Sequence, residues 1–214
     1  MVLNQRGSAM LAVLALLVAV LGAAFYQLLE PHPQRLADRE GTMRRLAEAI
    51  FGLRAFAGQS EGKLPCPDLD FPPDGYANAE CVYMRGRVVG WLPWRTLGLG
   101  PLRDEGGNFF WYAVAGGFLM GRGADVIDRS LRMEGLTDLE VAAVVIAPGW
   151  SLLGQDKIRN EGVGEDRVRG WLEGRNSVLA QTVTTGVFEQ RMESLEFNDR
   201  VLPLLAGQGG IGGG

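Results

Sequence analysis

The chain has 214 residues, 47% of them hydrophobic and 21% charged, with a formal net charge of −4 and a pI near 5.2. These are globular proportions, and with no Lys/Arg run beyond Arg44-Arg45 nothing points to nucleic acid, which needs a concentrated basic face. Without its apolar N-terminal stem the chain keeps about 180 residues, enough for one domain with a sizeable core.

The stem comes first. No residue from Ser8 to Leu29 is charged. As a helix, about 22 residues reach roughly 33 Å, enough to cross a bilayer's hydrocarbon core. A secretory signal has a shorter core of about 7–15 apolar residues and a small-residue cleavage site. Gly22-Ala23-Ala24 offers such a site, so a discarded signal stays open beside a retained anchor. Only Arg6 precedes the stem, whereas Arg35, Arg39, Arg44 and Arg45 follow it. That count alone would place the C-terminal side in the cytoplasm.

Pro31 and Pro33 punctuate the exit from the stem, because proline interrupts helical hydrogen bonding. Leu36, Met43, Leu46, Ile50, Leu53 and Phe56 then recur mostly at helical spacing with charges between them. This pattern predicts an amphipathic helix over 31–57 with one face against a folded body. Gly58 and the segment "GQSEGK" end it.

Cys66 and Cys81 lie in "LPCPDLDFPPDGYANAEC". The spacing gives neither a C-x-x-C redox motif nor a four-ligand zinc site. They are either two separate thiols or one disulfide. A staple closing about 16 residues contributes roughly 3 kcal/mol, which a loop so poor in core residues needs most, so the disulfide is the expectation. Disulfides persist outside the cytoplasm, which contradicts the orientation read from the positive charges. In the same loop Asp68, Asp70 and Asp74 gather oxygen ligands of the kind calcium takes. Their spacing is not that of an EF-hand, and they read as turn residues; no metal is assigned.

Strand signals follow. "YMRGRVVGWL" and "NFFWYAVAGGF" set aromatic and β-branched residues between glycines, and "LEVAAVVIAPG" fits a buried strand closing at Pro148-Gly149. "SVLAQTVTTGVFEQR" and "SLEFNDRVLPL" are expected as further strands, with "RVRGWLEG" a short helix or irregular. Asp156 to Arg169 reads as a mixed-charge, solvated loop, and 207–214 ("GQGGIGGG") as a disordered tail. The expected fold is α+β: a long N-terminal helix, half in membrane and half packed on an antiparallel β-sheet head over 58–206.

Catalysis finds little footing. The single histidine, His32, sits between two prolines at the stem's exit, and a Ser-His-Asp triad in the distal domain would need a histidine there. "GLGPLR" and "GRGADVID" do not complete G-x-G-x-x-G between a strand and a helix. No catalytic residue and no cofactor is expected. Trp91 and Trp94 flank Pro93, as core or as a ligand platform. The platform is the basis of an alternative reading, a membrane-anchored or secreted periplasmic ligand-binding domain.

A charged residue and glycine (Arg6-Gly7) directly before an uncharged helix, an amphipathic continuation and a β-rich head with a disulfide loop resemble the type IV pilin and pseudopilin superfamily. "KLPCPD", "GWLPWRTLGL", "FFWYAVAGGF", "VVIAPG", "WLEGRN" and "FNDRVLPL" are similar, in the same order, to blocks of uncharacterised pseudopilin-like proteins of Gram-negative bacteria. The resemblance implies that a prepilin peptidase removes 1–7 by cutting between Gly7 and Ser8, and that the new amino terminus is methylated. Residues 8–30 would be kept as a transmembrane and assembly helix. They would pack against other pseudopilins or pilins of a type II secretion or type IV pilus machine, anchored in the inner membrane with the head in the periplasm. In that family most members carry glutamate at the fifth position after the cut, where this chain has Ala12. A minor or tip-proximal subunit tolerates that loss, since no neighbour above it needs the carboxylate.

Overall fold

A computed structural model describes residues 13–22, 33–83, 88–121, 131–136, 139–153, 155, 157, 170–179 and 187–207. The chain divides into two compact units, Met1–Glu40 and Gly41–Gly214. In the first, residues 13–22 are helical and exposed throughout. Among the described residues no helix is long and apolar enough to cross a membrane. The remainder of the expected stem, with Gly7, Ser8 and His32, lies outside the described residues, as do 208–214.

Helix α1 runs from Pro33 to Gln59 and passes through Gly58, two residues beyond the predicted end. Its stripe Thr42, Leu46, Ala49, Ile50, Leu53 and Ala57 is buried, a 3–4 spacing that keeps one face inward. Met43 flanks that stripe, 39% exposed, and Phe56 is only half-buried. Thr42 and the small residues 49 and 57 carry more of the contact than hydrophobicity alone suggests. Gly52 completes that face: a Cβ there would lie 2.8 Å from Leu99 Cδ1, so the missing side chain lets Leu99 pack directly on the helix backbone.

The head is a four-stranded antiparallel sheet. Its strands are β1 (Val88–Trp91), β2 (Trp111–Val114), β4 (Val141–Ala147) and β6 (Arg200–Leu205), adjacent in the order β1-β2-β4-β6. A row of buried side chains crosses it, Trp91 opposite Trp111, then Ile146, then Val201. Every residue of β2 and of β4 is buried, which requires cover on both faces and explains why "VAAVVIA" lacks polar alternation. Pro203 sits in the edge strand β6, where a missing N–H is tolerated. The buried stripe of α1 and all four strands belong to one apolar core.

Two expectations are corrected. The sheet is accompanied by a two-stranded parallel pair, β3 (Arg132–Met133) with β5 (Val187–Phe188), which the sequence did not announce. "SVLAQTVTTGVFEQR" is not one strand: its first residues belong to a short helix, α2 (Gly174–Leu179), and among its described residues only Val187–Phe188 forms a strand. Met133 and Phe188 enter the core, so burial of two side chains fixes this short pair where periodicity over so few residues is silent.

Candidate functional site

The cysteine loop is built as a turn hung from the sheet. Cys66 and Cys81 form a disulfide, with Cα atoms 5.8 Å apart. Two residues on, Asp68 pairs with the edge of β1, its N–H donating to Trp91 O at 3.0 Å and Trp91 N–H donating back at 2.8 Å. Gly90 makes this possible, since a Cβ there would stand 2.5 Å from Asp68 O. The buried Asp68 carboxylate accepts from Gly75 N at 2.7 Å and Asp70 N at 2.9 Å. Burial pushes its pKa up against those two hydrogen bonds. Asp74 accepts from Tyr76 N, and Asp70 from Asn78 Nδ2. The three carboxylates come within 4.8 Å of one another and would be the residues to hold a cation. Each, however, is already engaged in shaping the turn, the role the sequence suggested.

Trp91 and Trp94 are 1% and 5% exposed, which removes the surface that a ligand platform would need. Trp91 meets Trp111 at 4.2 Å between ring centroids and Trp171 edge-on at 5.0 Å. Trp94 stacks on Phe109 at 4.6 Å, and the Arg103 guanidinium covers the far face of that stack, 3.6 Å from the Phe109 ring. Gly75, at φ +86°, closes the other side: a Cβ would touch the Trp94 ring at 2.4 Å. Trp91 and Trp94 are core.

The densest chemistry lies elsewhere, around the turn Pro148-Gly149-Trp150 that ends β4. Asp104 accepts from Gly149 N at 2.7 Å and Asn108 Nδ2 donates to Gly149 O at 2.6 Å. Lys157 Nζ donates to the carbonyls of Pro148, Gly149 and Trp150 at 2.5, 3.2 and 3.1 Å. Asn198 Nδ2 reaches the same Trp150 carbonyl at 2.7 Å. Behind Lys157, at 3.8 Å, is Glu173 Oε1. Glu173 Oε2 accepts the backbone N–H of both Asn198 and Asp199 at 3.0 Å, and Asp199 Oδ2 in return accepts from Glu173 N at 2.9 Å and Asn176 Nδ2 at 3.1 Å.

All of these charged groups are buried. Burial, and after it the adjacent Glu173 charge, raises the Asp199 pKa well above its ordinary value. Burial lowers the Lys157 pKa against the attraction of the surrounding carboxylates. Burial likewise raises Asp104, to about 6, against hydrogen bonds from Asn108 and Gly149. Asn198 Oδ1 is buried and has no donor among the described residues.

This cluster corrects the expectation of a solvated loop at Asp156 to Arg169: Lys157 is buried there, and the other members of that segment lie outside the described residues. One signal was available. Of the 21 basic residues only Lys63 and Lys157 are lysine, and a compact ammonium, unlike a guanidinium, can be gathered by three converging carbonyls. A second polar link ties α1 to the sheet. Thr42 donates to Glu105, and Arg200 pairs with Glu105 at 2.7 Å.

No family model matches the chain, and neither the curated proteins nor the solved structures hold a significant match to it.

Proposed function

We propose that the protein is a pseudopilin-like subunit, minor or tip-proximal, of a type II secretion or type IV pilus-type fibre. It is cut after Gly7, anchored in the inner membrane by residues 8–30 and carries its head in the periplasm. It acts by packing, not by catalysis. The observation that supports this reading best is the helical segment 13–22, where Val13, Leu14, Leu16, Leu17, Val18, Val20 and Leu21 are each 53–70% exposed. Burying one such side chain is worth about 1.5–3 kcal/mol, so seven together favour lipid or neighbouring helices over water by on the order of 10 kcal/mol. Two further features agree with it. α1 contributes its buried stripe to an antiparallel head, and the Cys66–Cys81 disulfide fits a compartment outside the cytoplasm. Ala12, in place of the family's glutamate, favours a subunit with no neighbour above it.

Intact mass and N-terminal sequencing of the protein taken from its native membrane test the proposal. A chain beginning at N-methylated Ser8 is expected. A chain beginning near Ala24 would mean a secreted domain with a discarded signal, and an uncut Met1 a plain anchor; either result overturns it.

A further inference from the structure

The buried group around Lys157 has the parts of a proton-relay site, with Lys157, Glu173, Asn198 and Asp199 each less than 10% exposed. Among the described residues, the partners within its reach are its own side chains. Lys157 Nζ and Asn198 Nδ2 both donate to the Trp150 carbonyl, at 3.1 and 2.7 Å, which puts the amine no more than about 6 Å from the carboxamide nitrogen. Glu173 bridges the two residues. Its Oε1 is 3.8 Å from Nζ and its Oε2 accepts the Asn198 backbone N–H. The Asn198 carbonyl oxygen is buried with no donor among the described residues, so this carboxamide is not locked into a complete hydrogen-bond set.

We propose that Lys157 and Asn198 form an intramolecular isopeptide bond, with Glu173 as the proton carrier. As an ammonium, Nζ fills its three donor positions with the three turn carbonyls. One Nζ–H turns from its carbonyl towards Glu173 Oε1, 3.8 Å away, and its proton passes there. The freed lone pair attacks Asn198 Cγ and the Nζ–Cγ bond forms. A further proton passes from Nζ to Nδ2 as the Cγ–Nδ2 bond breaks, Glu173 gives Nδ2 the proton it took, and Nδ2 leaves as ammonium with Glu173 again a carboxylate. Carbon, nitrogen and charge balance with no external reagent. Arginine could not serve, since its guanidinium keeps its proton, and lysine is rare in this chain. The bond would join the segment after β4 to the entry of β6 and hold the Trp150 turn covalently.

The decisive measurement is the intact mass of the full chain after disulfide reduction, followed by peptide mapping. A species lighter by one ammonia, with Lys157 joined to Asn198, is expected. A mass equal to the unlinked chain, or an ammonia loss mapped to any other residue, overturns the proposal and leaves Lys157 a structural clamp. Lys157→Arg keeps the charge and should restore the full mass. Asn198→Asp should lose water instead and arrive at the same final mass as the linked wild type. Glu173→Gln should lose the link, and a variant that links as completely as wild type removes Glu173 from the reaction.

Discussion

Leu53→Ala and Phe51→Ala take large apolar side chains from the same turn of α1 but from opposite faces. Leu53 is fully buried in the core, whereas Phe51 is 71% exposed. Removing Leu53 forfeits its transfer energy and leaves a cavity, and such core truncations cost about 2–5 kcal/mol; we expect roughly 3 kcal/mol. For a domain of this size that lowers the unfolding midpoint by about 6–12 °C. Phe51→Ala removes nothing from the core. It exchanges a middling helix former for the best one, so its effect should stay within about 0.5 kcal/mol, on the stabilising side. The assay is urea or thermal unfolding of the full chain in detergent, followed by tryptophan fluorescence, because Trp91, Trp111 and Trp171 report directly on the core. Equal losses for the two variants would refute the assigned inner face of α1. A larger loss for Phe51→Ala would mean that the exposed face is the one held by the fold.

Replacing Cys66 and Cys81 together by alanine opens a loop whose ends are 15 positions apart; about 3 kcal/mol of stability should be lost, read from the shift in the urea midpoint at unchanged slope, and a loss below about 0.5 kcal/mol would show that the hydrogen bonds from Asp68 to β1 hold the loop unaided. Asp104 has a folded pKa of about 6 against 3.8 for the free residue, so the folded state binds this proton more tightly. Its contribution is therefore complete below about pH 4 and fades as the pH rises through about 6, at most about 3 kcal/mol in all. Wild type should gain stability relative to Asp104→Asn when the pH is lowered from 7.5 to 5, and parallel pH profiles of the two proteins would contradict the assignment.

Several elements were legible in the sequence because they depend on local pattern. The 3–4 repeat of Leu46, Ile50 and Leu53 set the inner face of α1, and the unbroken "VAAVVIA" announced a strand covered on both sides. The cysteines, too widely spaced for a tight metal or redox motif, pointed to the disulfide loop, and the aspartates between them to a turn. The tryptophans were read as core or platform, and only burial separated the two. What the sequence could not convey was partnership across distance. Asp104, the Pro148–Lys157 stretch, Glu173 and Asn198 are separated along the chain, and each alone looks like a surface polar residue or a turn. Their burial follows from β4 and β6 lying side by side, which brings the turn after β4 against the approach to β6. The parallel β3–β5 pair has the same origin, since two residues carry no period and gain their conformation from Met133 and Phe188 entering the core. Hydrophobic period is a property of neighbours in sequence and fixed the helix and the central strands. The polar cluster is a property of neighbours in space, where desolvation makes a charge costly unless tertiary packing brings its partners, and only the folded chain could determine it.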